Sequence, residues 1–159
     1  MCDGFLLLMK NDEYFMNLAL KLAKKAESLD EVPVGAIIVK DNKIIAKAYN
    51  KREVNNLVTS HAELLAIQKA NKKLDSWRLV DCTLYVTLEP CIMCAGAIIQ
   101  SRIQRVVFGA YDLKGGAFGS SIDVLKANNI NWKPEIVKGV KEKECSQILT
   151  DYFKKKRGQ

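Results

Sequence analysis

The stretch from Leu84 to Ala110, LYVTLEPCIMCAGAIIQSRIQRVVFGA, decides the fold. Leu84 to Leu88 is a short apolar run that reads as a strand. Pro90 is expected at the first position of a helix, where no backbone N–H is needed. That helix runs from Cys91 to about Ser101, and Arg105 to Ala110 reads as a second strand. A helical crossover of this length joins parallel strands, so the stretch is a β-α-β unit.

Working outward, a glycine-rich loop follows from Tyr111 to Ser121. Ile122 to Asn128 is expected to be helical, Glu135 to Val140 a strand and Lys141 to Lys156 a final helix. Upstream, Asn11 can cap a helix reaching about Leu29, with Phe15, Leu18, Leu22 and Ala26 on one face. Val34 to Val39 and Ile44 to Tyr49 read as strands joined by an Asp41-Asn42 turn. Thr59 and Ser60 offer cap-type side chains ahead of a helix over His61 to Lys72, with Leu64, Leu65 and Ile67 facing inward. The order α-β-β-α-β-α-β-α-β-α predicts an α/β fold, a three-layer α/β/α sandwich whose five-stranded mixed sheet is covered on both faces. It reads as one domain over 1–159, with residues 1–10 as an extension and 151–159 as a basic tail.

With 159 residues and 48% apolar content, the chain is long enough for a proper core and too apolar to be disordered. No apolar run approaches the roughly 20 residues needed to span a bilayer. The run from Phe5 to Met9 is too short for a signal-peptide core and no basic residue precedes it, so a cytoplasmic, membrane-free protein is expected. The net charge is +7, and four positive charges belong to Lys154, Lys155, Lys156 and Arg157. Such a basic end can hold phosphates, or it can be a solvated helix end that suits the helix dipole.

The single histidine stands in His61-Ala62-Glu63, and the two closely spaced cysteines in Pro90-Cys91-Ile92-Met93-Cys94. Cys91 and Cys94, three apart at a helix start, face the same way. The helix N-terminus favours their thiolate forms. With His61 they make a three-ligand zinc site that leaves the fourth position open, as catalytic sites require. Glu63 lies about 200° round the helix from His61, and is the carboxylate left over to carry a proton. Of the other cysteines, Cys2, Cys82 and Cys145 read as buried or terminal thiols. The bland alternative is a structural Cys₃His site completed by Cys82 or Cys145. H-x-E followed by P-C-x-x-C is the signature of the zinc nucleobase deaminases.

Beyond that signature, Glu31-Val32-Pro33-Val34-Gly35-Ala36, His61-Ala62-Glu63 and the run from Thr83 to Ser120 resemble the bacterial tRNA-specific adenosine deaminases. The likeness covers the chain from the first helix to Arg157. It implies a cytidine deaminase-like fold, one Zn²⁺ per chain, and a homodimer that converts the wobble adenosine of a tRNA anticodon stem-loop to inosine. It further implies that Glu63 is catalytic and that Asn50, Val34 and the backbone of Ala62 hold the flipped base. Asp112 and Lys114 would approach the RNA near the reacting nucleotide, and Tyr152, Phe153 and Arg157 would form a C-terminal RNA-contacting segment. Each of these has a plainer reading: Asn50 ends a strand, Asp112 caps a turn, Phe153 and Val34 fill the core. A deaminase of free bases or nucleosides (cytosine, cytidine or guanine) would share the metal core, and a non-catalytic zinc-dependent RNA-binding module is the reading from another class.

Overall fold

The computed structural model describes residues 10–158; Cys2, the Phe5–Met9 run and the rest of 1–9 lie outside the described residues. Helix α1 spans Asp12–Ser28 and starts where Asn11 Oδ1 accepts the Tyr14 N–H at 2.9 Å. Its buried face is Phe15, Met16, Ala19, Leu20, Ala23 and Ala26. The expected Leu18 and Leu22 sit at the margin of that face, partly buried. The small alanines take the centre because α1 lies directly on the sheet: a side chain at Gly35 would run into the Ala19 carbonyl.

Strands β1 (Gly35–Lys40) and β2 (Lys43–Tyr49) form the hairpin, turning at Asp41 and Asn42 with φ of 50° and 61°. Positive φ at both positions is what a two-residue turn matched to strand twist requires. A one-turn helix that the sequence does not announce, α2 (Arg52–Asn55), precedes α3 (Ala62–Leu74). Then come β3 (Cys82–Leu88), α4 (Ile92–Gln100), β4 (Arg105–Ala110), β5 (Glu135–Lys138) and α5 (Glu142–Arg157). The sheet order is β2-β1-β3-β4-β5. β1 is antiparallel to β2 and β3, whereas β3-β4 and β4-β5 are parallel. The five-stranded mixed sheet expected from the element order is therefore present.

Alternation along the strands builds two cores. Ala36, Ile38, Leu84, Val86, Val106 and Phe108 pack with α3 and α4 on one face. Ile37, Val39, Tyr85 and Val107 pack with α1 and α5 on the other. Because both faces are covered, the strands read as near-continuous apolar runs.

Four local expectations are corrected. Pro90 is not the first helical residue; Cys91 is the cap and the helix starts at Ile92. His61, and not Thr59 or Ser60, caps α3. Alanines 62, 66 and 70, with Ile67, face the core from α3, leaving Leu64 and Leu65 only partly buried. The helix expected over 122–128 is a single 3₁₀ turn, Val124–Lys126, capped by Asp123. Among the described residues no helix is long and apolar enough to cross a membrane.

One polar clasp ties α1 to the sheet. Arg105 donates from Nη1 and Nη2 to the two Asp12 oxygens at 2.8 and 2.6 Å, and the Tyr85 hydroxyl donates to Asp12 Oδ1 at 2.7 Å. The Arg105 hydrogen bonds hold the Asp12 carboxyl below its usual value, against the opposing effect of burial. A lowered folded-state value means that the clasp's contribution is fully present above the unfolded value, near pH 4, and fades as pH falls through the folded value. Asp12→Asn is expected to lower unfolding free energy by about 1–2 kcal/mol at neutral pH. In urea titrations that difference should shrink toward pH 3; a gap that persists in acid would contradict it.

Candidate metal centre and active-site cavity

β3 ends at Leu88, and the Glu89 N–H continues the ladder to the Ala110 carbonyl at 2.9 Å. Pro90 keeps Glu89 extended, so the chain leaves the sheet straight before α4 begins. Cys91 caps α4 in an extended conformation, φ −75° and ψ 175°, without a side-chain capping bond. Cys94 follows in the first turn. From the neighbouring element, His61 caps α3 in the same manner, φ −74° and ψ 150°. Two helix N-termini thus present three ligand-type side chains to one point.

The donor atoms of His61, Cys91 and Cys94 all lie within 4.8 Å of one another. His61 Nδ1 is 3.7 Å from Cys91 Sγ and 3.5 Å from Cys94 Sγ. Zinc bonds of about 2.0–2.1 Å to nitrogen and about 2.3 Å to sulfur, opened at the tetrahedral angle, separate N from S by about 3.6 Å. The spacing therefore fits one tetrahedral metal ion. The proton balance fits as well. Cys91 is pulled down to about 4, first by the Cys94 thiol and also by His61, with burial opposing. The same contact and burial push Cys94 up. A divalent ion is what would balance two thiolates here.

Cys82 and Cys145 stand apart from this cluster. Cys82 begins β3, at the end of the strand remote from Leu88. Cys145 packs against Gly109 in the core on the α1/α5 face. Among the described residues the cluster has three members, which leaves the Cys₃His alternative without its fourth ligand.

Glu63 lies in the first turn of α3 and is buried, 4% exposed. Burial is the main influence on its carboxyl and raises it above the usual range, against the charge of His61. It lines a cavity of about 130 Å³ together with His61, Cys91, Ala62, Val34 and Asn50. That is roughly four times the volume a water molecule takes in the liquid. The Asn50 amide is fixed: Nδ2 donates to the Val32 carbonyl at 3.3 Å and Oδ1 accepts the Arg52 N–H at 3.2 Å.

Val32, Leu88 and Asp112 line this cavity and also a larger groove of about 700 Å³ beside it, whose other walls include Lys114, Phe153, Lys156 and Arg157. Asp112 caps its own turn, with Oδ1 accepting from Lys114 N at 3.2 Å and Gly115 N at 3.0 Å. Phe153 is 45% exposed on that groove and is not core. Tyr152 points elsewhere: it is buried, and its hydroxyl donates to the Asp30 carbonyl at 3.3 Å.

Two buried carboxylates shape the walls, and the sequence motifs give them no task. Glu31 accepts the Glu53 and Val54 N–H groups at 2.9 and 2.7 Å, supplying the cap that Lys51 does not give α2. Glu89 accepts from Asp112 N, Phe118 N, Ser120 N and the Ser120 hydroxyl. A side chain at Gly116 would run into that carboxylate. Arg52 also lines the cavity. The only signal for the glutamates is an acid set within apolar runs at Glu31-Val32-Pro33 and Leu88-Glu89-Pro90.

Known proteins resemble the chain along nearly its whole length. The family model described as MafB19-like deaminase matches residues 9–157. The tRNA-specific adenosine deaminase of Bacillus subtilis (strain 168) is 49% identical over 149 residues, covering 94% of this chain and 92% of that one. A solved structure from work on A-to-I editing by tRNA:A34 deaminases at the wobble position of transfer RNA superposes with a TM-score of 0.84 at 43% identity, covering 86% of this chain and 99% of that one. A guanine deaminase structure from Bacillus subtilis is 42% identical with a TM-score of 0.62, covering 64% of this chain and 66% of that one.

Proposed function

We propose, from the premise that the chain belongs to the MafB19-like deaminases and among them to the tRNA-specific adenosine deaminase family, that it hydrolyses the wobble adenosine of a tRNA anticodon loop to inosine and ammonia. The observation that carries the deaminase chemistry is the cluster of His61, Cys91 and Cys94 at two helix N-termini with buried Glu63 in the adjoining cavity, and the choice of an RNA loop rests on the relatives and on the groove beside it. His61 Nδ1, Cys91 Sγ and Cys94 Sγ would hold one zinc ion per chain. When bound, zinc supplies the Lewis-acid chemistry that makes water nucleophilic at neutral pH.

The chain's own residues do the rest. Glu63 takes a proton from the attacking water and delivers it to N1 of adenine, which makes C6 more electrophilic. It then takes the remaining proton from the hydroxyl added at C6 and passes it to the amino group, which leaves as ammonia as the C6–N bond breaks and the C6 carbonyl forms, so one water is consumed and one ammonia released. A carboxyl held above its usual range by burial is suited to both taking and returning that proton. Asn50, Val34 and the backbone of Ala62 hold the base. A base reaches such a cavity only once it is extruded from its stack, and an anticodon loop offers its bases unstacked.

The adjoining groove favours a loop over a free base. Phe153 gives a surface on which a neighbouring base can stack, and Lys114 and Arg157 face phosphates. Tyr152 acts through the fold, anchoring α5 to Asp30, and Asp112 shapes the groove by capping its turn. Exposed Val54, Leu57, Val58 and Ile92, flanking the starts of α3 and α4, supply apolar surface for a homodimer. We place the enzyme in the cytoplasm, as one deaminase domain over 1–159.

Ammonia release, measured in parallel on an anticodon stem-loop with adenosine at the wobble position and on free adenosine, cytidine and guanine, tests the substrate. The stem-loop is expected to be turned over at least about 10²-fold more efficiently, because only it uses the groove contacts. Equal or greater turnover of a free base would favour the nucleobase reading.

A further inference from the structure

A second positive patch lies beside the cavity, away from the C-terminal groove. Tyr49 ends β2 and Lys51 follows Asn50, so the two residues flank a wall of the base cavity. The ammonium groups of Lys51 and Lys25 both sit over the Tyr49 ring, 5.0 and 5.5 Å from its centroid. Lys25 comes from the last turn of α1 on one face of the sheet. Lys69 comes from α3 on the other face, and its ammonium donates to the Lys47 carbonyl of β2 at 2.8 Å, which pins it at the sheet edge. Lys25 from α1 and Lys51 from the loop after β2 therefore meet over Tyr49, and Lys69 from α3 lies against the same edge strand at Lys47.

Among the described residues no ion pair neutralises them: the pairs present involve other cations, and none of Lys25, Lys51 or Lys69 reaches a carboxylate. Burial, then the charges of Lys51 and Lys25, hold the Lys69 ammonium below its usual value. Like charges gathered without a counterion disfavour the folded chain, and an incoming anion relieves that repulsion.

We infer that Lys25 and Lys51, gathered over Tyr49, together with Lys69 on the same edge strand, bind a backbone phosphate of the RNA strand whose base enters the cavity. This rests on the RNA-substrate reading above and adds a binding surface on the β2 side, opposite in sequence origin to the α5 groove. The lysines position the strand and take no part in the chemistry, so the binding constant should respond and turnover should not.

The test uses the full-length, metal-loaded enzyme and a Lys25→Gln/Lys51→Gln/Lys69→Gln variant. A Lys72→Gln/Lys73→Gln/Lys143→Gln variant removes the same charge at positions elsewhere on the chain. Stem-loop binding is followed by fluorescence anisotropy across a salt series, with KM and kcat measured alongside. The first variant is expected to bind about tenfold more weakly and to keep kcat within about twofold. Its salt slope should be shallower by about 0.7 for each phosphate that is no longer neutralised. The second should follow wild type. Unchanged affinity and slope in the first variant, or an equal weakening in the second, would overturn the site. If wild type forms no inosine, the proposed function fails, while the salt slopes still decide the lysine site.

Discussion

Glu63→Gln is expected to lower turnover of the stem-loop by about 10²–10⁴-fold while the metal stays in place. The substitution keeps the side chain's length and removes only its ability to take and return a proton. Glu63 is buried in the first turn of α3, and its carboxyl stands above the ordinary range chiefly through burial. Glutamine, neutral at every pH, places no charge in that site and should not disturb the fold. The expected loss corresponds to about 3–5 kcal/mol of barrier. It should fall on kcat, because Asn50, Val34 and Ala62, the residues proposed to hold the base, are unchanged. Metal analysis on the same preparation separates this role from ligation. Full activity in a metal-loaded Glu63→Gln protein would remove Glu63 from the chemistry.

The second large effect is expected at His61. As the cap of α3 it makes no side-chain capping bond, so His61→Ala removes a ligand at little cost to the helix. Bound metal should fall from about one ion per chain to near zero, and activity should disappear with it. The metal also links to stability, since it binds the folded chain only. Chelation should lower the melting temperature of wild type by about 5–10 °C, taking a bound ion at about 100 times its dissociation constant. The His61→Ala protein should show no such response. Unchanged metal content in that variant would refute ligation by His61.

Much of the fold was legible because its decisive unit is local. Strand β4 spans Arg105–Ala110 as its apolar run indicates, and Asn11 caps α1 through its own side chain. These features depend on residues within a few positions of each other. Pro90 stands just outside α4 and not at its first position, because a proline at either place satisfies the same requirement, a missing N–H. The segment 122–128 carries apolar residues at plausible spacing. Yet a bridge between Phe118 and Asp123 and the left-handed Asn129 bracket it, leaving room for one 3₁₀ turn.

The same distinction applies at the site. His61, Glu63, Cys91 and Cys94 stand out in sequence because metal chemistry restricts residue type and spacing so tightly. Glu31 and Glu89 do not, because their burial is decided by backbone N–H groups some 22 to 31 positions downstream. A glutamate is normally exposed, and only the folded loop reveals that each of these is an acceptor holding a cavity wall. The lysines along β2 are equally silent in sequence, since α1, α3 and the loop after β2 bring them to one strand.

The metal cluster, the small cavity and the groove beside it all bear on one reacting group, a wobble adenosine presented in an RNA loop. Its most direct measurement is incubation of the metal-loaded enzyme with an anticodon stem-loop carrying adenosine at the wobble position and at a second loop position, followed by position-resolved nucleoside analysis. The expected result is inosine at the wobble position, with the other adenosine unchanged. Absence of inosine from a preparation that deaminates a free base would contradict it.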